Sequence, residues 1–266
     1  MAAAPFEKWE GLGNDFIVIT VPSLVAFDKA KAARMCDRHL GIGADGVLLV
    51  LPAERGAARM KVINADGSVP EMCGNGIRCV ALHVAEQRGM KQGEVVIETD
   101  AGFRACMVER EGDTGVVDVD MGVVRALGPR TLTVKGVRVE MTLADAGNPH
   151  AILYRDDPER DLAELGPPLA EDASFPQGTN VELVRWQGDV LEVHVWERGV
   201  GRTRACGTGA CAVAAVACAR GEGKAGEPVR VRLPGGELVI LHDPATGQTR
   251  MKGPARRVFR GDWQGG

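Results

Sequence analysis

The chain lacks any apolar run long enough to cross a bilayer: the longest, Ala210 to Ala219, is about half of the ~20 residues that a spanning helix requires. Its first residues, Met-Ala-Ala-Ala-Pro-Phe-Glu-Lys, show neither a basic leader nor a sustained apolar stretch, so no secretory signal is read there. Positive charge is not in excess either. With 32 Lys and Arg against 36 Asp and Glu the net charge is −4, which leaves no basic face for a phosphate backbone to meet. Neither a membrane nor a nucleic acid is expected as partner, and Arg256, Arg257 and Arg260 read as a solvated tail. The cysteines include no Cys-x-x-Cys pair and have no His pair beside them, and the gaps within Cys73/Cys79 and Cys206/Cys211 do not suit zinc, so no metal is expected. Seven cysteines is an odd and scattered set. In a chain long enough to fold without staples, that favours a reducing cytoplasm.

Glycine is plentiful, 35 of 266 residues, without a collagen-like period, which implies many turns and close backbone approaches rather than disorder. Several of these glycines belong to strings that recur. GNDFIVI from Gly13 returns as GNPHAIL from Gly147, an offset of 134, and GADGVLLV from Gly43 is echoed by GTNVELV from Gly178, an offset of 135. Cys73-Gly-Asn-Gly returns as Cys206-Gly-Thr-Gly, an offset of 133. Three ordered matches at one spacing read as an internal duplication.

Strand patterns run over Phe16 to Val21, Val47 to Leu51, Met60 to Asn64, Val95 to Thr99 and Val116 to Met121. They recur over Val137 to Leu143, Ala151 to Tyr154, Asn180 to Arg185, Leu191 to Glu197, Val229 to Leu233 and Leu238 to Leu241. Helices are predicted over Asp28 to His39, Cys73 to Gln87, Glu159 to Leu165 and Cys206 to Arg220, the two Cys-led ones ending at Arg88-Gly89 and Arg220-Gly221 with glycines suited to left-handed caps. Many strands around one apolar helix per half predict an α+β protein of two homologous lobes, each a barrel-like sheet wrapped around a central helix. The expected lobes are residues 1–121, with the tail 255–266 packing back on them, and residues 122–254.

The chemistry points to Cys73 and Cys206. A helix N-terminus offers unpaired N–H groups and partial positive charge, which bind a carboxylate and favour a thiolate. Two such thiols facing one carbon could remove a proton from one side and return it to the other, inverting a stereocentre. A single buried cysteine would read as packing; the same motif twice in register does not. The other five cysteines read as packing residues. Gly41-Ile-Gly-Ala-Asp-Gly46 matches a dinucleotide-binding fingerprint literally, but it follows a helix and precedes a strand. That reversed order makes it a tight turn.

Asn14, Asn64, Asn148 and Asn180 fall at strand-turn junctions, where an amide can cap a turn or face a ligand. Glu197-Arg198 precedes Cys206 at the spacing by which Asn64-Ala65 precedes Cys73. The pair could bind an amino acid's ammonium and carboxylate, or form a surface ion pair. His150, in the repeated turn Asn148-Pro-His, could tune a thiol.

The strings GLGNDF from Gly11, GIGADG from Gly41, NADGS from Asn64, MCGNGIRC from Met72, GNPH from Gly147, GTNVE from Gly178, ERGVG from Glu197 and ACGTGACA from Ala205 together resemble the diaminopimelate epimerase family. The resemblance implies a homodimeric isomerase of lysine biosynthesis that interconverts LL- and meso-diaminopimelate without a cofactor. It implies Cys73 and Cys206 as exchanging proton donor and acceptor. The amides of Gly74, Asn75, Gly207 and Thr208 would hold the reacting carboxylate, and Asn64, Asn148, Asn180 and Arg198 would read the distal end. Asn14 would help close the site, while His150 and Glu197 would adjust the thiols. Proline racemases share the two-thiol logic, but their substrate has no distal end to occupy Arg198 and three asparagines, and they usually carry His where this chain has Asn75. The chain departs from the family pattern at Gly46, where some members carry Gln, at Phe259, where a Tyr is usual, and at Gly201-Arg202-Thr203, where Gly-Glu-Thr is usual. Arg202 and Arg204 are expected to favour the Cys206 thiolate.

Overall fold

A computed structural model describes residues 4–24, 27–223 and 226–264. The chain divides into two compact units, one running to Asp120 and completed by the residues from Gly253 on, the other spanning Met121–Lys252.

In the first unit the strands β1 (Ala4–Gly11), β2 (Asn14–Thr20), β3 (Gly46–Leu51), β4 (Ala58–Asn64), β5 (Gln92–Thr99), β6 (Gly102–Glu111) and β7 (Thr114–Val123) adjoin in chain order. The long last strand β16 (Gln248–Trp263) follows β7 and also pairs antiparallel with β1, closing the sheet into an eight-stranded barrel. Two of its neighbouring pairs are parallel, each bridged by a helix: α1 (Lys29–Cys36) joins β2 to β3, and α2 (Gly74–Gln87) joins β4 to β5. Every residue of α2 from Gly74 to Ala85 is buried, Asn75, Arg78 and His83 among them, so their polar groups must find partners within the protein. The helix packs against β1, β4, β5 and β6.

The second unit repeats this plan with β8 (Arg125–Val134), β9 (Val137–Asp145), β10 (Pro149–Tyr154), β11 (Asn180–Gln187), β12 (Val190–Glu197), β14 (Val229–Leu233), β15 (Gly236–His242) and the start of β16, while β13 (Gly201–Thr203) adds to β12. Again two parallel pairs are bridged by helices, α3 (Pro158–Ala170) from β10 to β11 and α4 (Gly207–Ala219) from β12 to β14. The duplicated α+β architecture expected from the repeat is therefore the one observed.

Local chemistry accounts for the helix ends. Asp28 and Asp157 cap α1 and α3 by accepting from the N–H of Lys31 and Arg160. Gly89 (φ 66°) and Gly221 (φ 74°) sit in the left-handed region at the ends of α2 and α4, where they let Met90 N–H and Glu222 N–H reach back to Ala85 O and Ala217 O. The tight turn expected at Gly41–Gly46 is present. Gly43 takes φ 79° and both Ile42 and Gly43 donate to Met35 O.

Five strands have no counterpart in the sequence reading: β1, β6, β8, β13 and β16. Two corrections go with them. Arg256, Arg257 and Arg260 are not a solvated tail but lie in β16, where Arg257 is buried against Glu7, Glu86 and Asp113, Arg256 pairs with Glu10 at 2.7 Å, and Arg260 pairs with Glu7 at 2.8 Å. Residues 265–266 of the expected tail fall outside the described residues. Helix α3 also continues past Leu165 through Pro167 and Pro168 to Ala170. Each proline lacks an N–H to bond four residues back, and the burial of Leu169 and Ala170 against β11 and β12 holds the final turn.

Candidate active site

Cys73 and Cys206 are the N-caps of α2 and α4, with backbone angles of −132°/114° and −130°/113°. Each sulfur accepts the N–H three residues on, Gly76 and Gly209, at 3.4 Å. The thiol thus stands where a Ser or Asp cap usually stands, at the positive end of a buried helix. Glycine is needed three residues on, because a methyl on Gly76 would lie 2.9 Å from Leu48 Cδ2 and one on Gly209 would lie 2.7 Å from Glu182 Oε1.

In the first unit the helix end is held by two amides strung between a carboxylate and a guanidinium. Buried Asn75 donates to Asn14 Oδ1 at 3.1 Å, and Asn14 donates to Asp45 Oδ2 at 2.6 Å. Arg78, fully buried, donates to Gly74 O at 3.0 Å, to Asn75 Oδ1 at 3.1 Å and to Pro254 O at 3.1 Å. Asn64 donates to Ser68 Oγ at 2.9 Å in its own turn. Gly46 pairs with Asn64 across β3 and β4, and a methyl there would press on Ile63 O at 2.9 Å, so no side chain takes the place of the family's occasional Gln.

The second unit surrounds its thiol with ionisable groups. His150 is buried, bonding Glu182 Oε1 through Nδ1 at 2.7 Å and Asn148 Oδ1 through Nε2 at 2.9 Å. Glu182 is wholly buried, and its Oε2 has no partner. Glu197 accepts from Thr203 Oγ1 at 2.6 Å and lies within hydrogen-bond reach of Cys206. Burial pushes the Glu197 carboxyl up, and the neighbouring Glu182 adds to this. Burial likewise pushes the Cys206 thiol well up, reinforced by the negative charges of Glu197 and Glu182, against the opposing hydrogen bonds of Thr208 and Gly209 N–H. Thr208 Oγ1 is 3.5 Å from the sulfur.

Asn180 is committed locally, donating to Pro149 O at 3.1 Å and accepting from Arg198 N–H at 2.9 Å. Arg198 is exposed and donates to Gln177 O at 2.9 Å, so the Glu197 carboxylate and the Arg198 guanidinium take different partners and do not form an ion pair. The expectation that Arg202 and Arg204 favour the Cys206 thiolate is not met. Arg202 pairs with Glu159 at 2.7 Å on the surface, Arg204 is exposed, and the charges raising the thiol are carboxylates.

The sequence reading gave no role to Glu182, Asp45 or Arg78. For Glu182 a signal was present, because the repeat aligns it with Leu48: an acid stands in mid-strand where the other copy has an apolar residue. The register repeats the equivalence, Phe16 opposite Gly46 in one unit and His150 opposite Asn180 in the other. Among the described residues no cluster of three or more His, Cys, Asp or Glu side chains is arranged to hold a metal ion.

The chain matches the family model for diaminopimelate epimerase over residues 6–127 and 142–258. It is 43% identical to the diaminopimelate epimerase of Desulforudis audaxviator (strain MP104C) over 97% of this chain and 98% of that one, and 41% identical to that of Synechocystis sp. (strain ATCC 27184 / PCC 6803 / Kazusa), with the same coverage. Among solved structures it shares its fold with a probable proline racemase from Agrobacterium radiobacter K84, at TM-score 0.77 and 16% identity, covering 97% of this chain and 92% of that one. A hydroxyproline epimerase from Agrobacterium vitis matches at TM-score 0.75 and 16% identity, covering 98% and 92%. The racemase likeness speaks to architecture alone, whereas the family match and the relatives run nearly end to end: the chain belongs to the diaminopimelate epimerase family of isomerases.

Proposed function

We propose that the chain interconverts LL- and meso-diaminopimelate in lysine biosynthesis, without a cofactor, by proton transfer between Cys73 and Cys206 acting on opposite faces of one α-carbon. The observation that carries this is the paired cap: two helices of duplicated origin begin with a cysteine in the same conformation with the same N–H bond. One thiolate takes the α-proton; the C–H bond breaks, an S–H bond forms, and the electron pair moves into the carboxylate-stabilised carbanion. The other thiol delivers its proton to the opposite face, so the two sulfurs exchange states with each turnover. Backbone N–H groups of Gly74, Asn75, Gly207 and Thr208 stabilise the charge that develops on the carboxylate, aided by the two helix ends. Burial beside Glu197 and Glu182 favours the thiol form of Cys206, and the roles of donor and acceptor swap with the direction of reaction.

Arg198 has guanidinium donors beyond its bond to Gln177 O and is suited to the distal carboxylate. Asn64, Asn148 and Asn180 fix the turns around that end, Asn14 steadies Asn75, and Glu197 and His150 set the protonation of Cys206. The working form is a homodimer in the cytoplasm, Phe259 with its exposed ring edge-on to Phe6 at 5.9 Å serving the dimer contact. Incubating LL-diaminopimelate in deuterated water tests the reading. Deuterium is expected at the α-carbon together with the meso isomer, and both should be lost in Cys73→Ala and in Cys206→Ala. Inversion of proline with no action on diaminopimelate would overturn the substrate.

A further inference from the structure

A chain of four side chains runs from a carboxylate to a guanidinium beside Cys73. Asn14 Nδ2 donates to Asp45 Oδ2 at 2.6 Å, Asn75 Nδ2 donates to Asn14 Oδ1 at 3.1 Å, and Arg78 Nη2 donates to Asn75 Oδ1 at 3.1 Å. A carboxylate can only accept and a guanidinium can only donate. The two ends therefore dictate which way each amide points: turning Asn14 over would set its oxygen against Asp45, and turning Asn75 over would set its NH2 against Arg78. Neutral ends would leave both orientations open. Asp45 is itself held, since Oδ2 also accepts from Asp15 N–H at 3.0 Å and Oδ1 accepts from Arg38 Nη2 at 2.7 Å.

We propose that Asp45 and Arg78 are positioning residues that lock the Asn14 and Asn75 amides in one orientation, with NH2 directed towards the anionic end, and thereby fix the first turn of α2 at Cys73. The proposal deepens the reading of Asn14 and Asn75 as site residues and rests on it. It absorbs the Gly41–Gly46 turn, which presents Asp45, and the Arg78 of the first Cys motif. It also explains why Gly11 bears no side chain, as a methyl there would meet Arg78 Nη2 at 3.0 Å.

Asp45→Ala tests it, because it removes the acceptor that holds the Asn14 NH2. Asp45→Asn is the conservative partner: Asn14 Nδ2 and Asp15 N–H both donate on one side of residue 45, so the new amide keeps its oxygen there and turns its NH2 towards Arg38, which retains its two bonds to Asp15. The expected kcat/KM falls about ten- to hundredfold in Asp45→Ala, the range of a lost charge-assisted hydrogen bond, and stays within about threefold of the parent in Asp45→Asn. Side-chain amide NMR signals of Asn14 and Asn75 in the substrate-free protein should shift together in Asp45→Ala and stay near their parent positions in Asp45→Asn. An Asn75 signal that does not move in Asp45→Ala, or an Asp45→Asn variant as impaired as Asp45→Ala in shifts and turnover, would overturn the lock. Because the spectra need no substrate, they decide the relay even if diaminopimelate is not turned over, in which case it is the substrate reading that fails.

Discussion

Replacing Glu182 with Gln removes one buried negative charge while keeping the shape and a hydrogen-bonding partner for His150. The structure bounds how strongly Cys206 should respond. A methyl on Gly209 would lie 2.7 Å from Glu182 Oε1 and 3.3 Å from Cys206 Sγ, so oxygen and sulfur are no more than about 6 Å apart. At an effective dielectric of about 20, a unit charge at that separation opposes the thiolate by about 3 kcal/mol, roughly a hundredfold in thiolate fraction. Nucleophilicity falls as the thiol becomes more acidic, which takes back about half of the logarithm. Alkylation of Cys206 at pH 7.5 should therefore speed up by about tenfold in Glu182→Gln, read by mass spectrometry of the Cys206 peptide in a Cys73→Ala background. The pH at which alkylation reaches half its maximum should fall. An unchanged rate and an unchanged pH dependence would mean that the Glu182 side chain does not act on Cys206, and the reasoning that its charge favours the thiol would fail.

Gly41→Ala should destabilise the protein by the upper end of the range of about 1–3 kcal/mol for overpacking, measured by urea unfolding, since the new methyl would sit 2.2 Å from Arg34 O and 2.7 Å from Met35 O, atoms of backbone that cannot swing away. Burial alone would raise the Glu7 carboxyl, but hydrogen bonds from His83, Trp9 and Arg260 hold it at about 2 against an ordinary 4.5. Its folded value is lower than its unfolded one, so its contribution of about 3 kcal/mol is complete above pH 4.5 and disappears as pH falls towards 2; Glu7→Gln should cost that much at pH 7 and nothing at pH 2. Lys135 takes φ 50° and Gly136 φ 81° in the two-residue turn between β8 and β9, a type I′ geometry. Lys135→Asn should therefore raise stability by about 0.5–1 kcal/mol in thermal unfolding, with activity unchanged.

What could be read from the sequence was local and periodic. The caps at Cys73, Cys206, Gly89 and Gly221 follow from residues within one turn of each other, and the enclosure of α4 follows from apolarity on every face. The strands missed include those whose apolar alternation is broken by charged residues paired across strands, or by glycine and proline. β1 buries Lys8, paired with Asp15 at 2.5 Å, and β8 carries Gly128 and Pro129. β16 holds Gly253, Pro254 and Gly261 among its arginines, and buries Arg257 against acids of β1, α2 and the β6–β7 turn and over the Trp9 ring at 5.7 Å. A counter-ion more than a hundred residues away leaves no trace in a local window. The same limit hid Asp45, which reaches Asn14 from another strand's turn.

Duplication alone would give two equivalent thiols, and an epimerase built on two equivalent thiols would have no defined resting state. The two copies differ at the strand positions beneath the helix caps. Beneath Cys73 the equivalent pair is Phe16 and Leu48, both buried and apolar; beneath Cys206 it is His150 and Glu182, both buried and bonded to each other. Asn64 of the first copy corresponds to Glu197 of the second, exchanging a neutral amide for an acid within reach of the sulfur. All three changes put an ionisable group in the second copy where the first has a neutral side chain at the equivalent position. Apolar packing of similar size would have been cheaper than a buried acid with an unpartnered oxygen, so their presence in the second copy alone is best accounted for by the chemistry of Cys206. The experiment that separates this from structural accident is the exchange of sites: Glu182→Leu with His150→Phe should give a folded protein of equal or greater stability in urea, with Cys206 alkylated faster and epimerisation lost. If turnover survives that exchange, the asymmetry plays no part in the reaction.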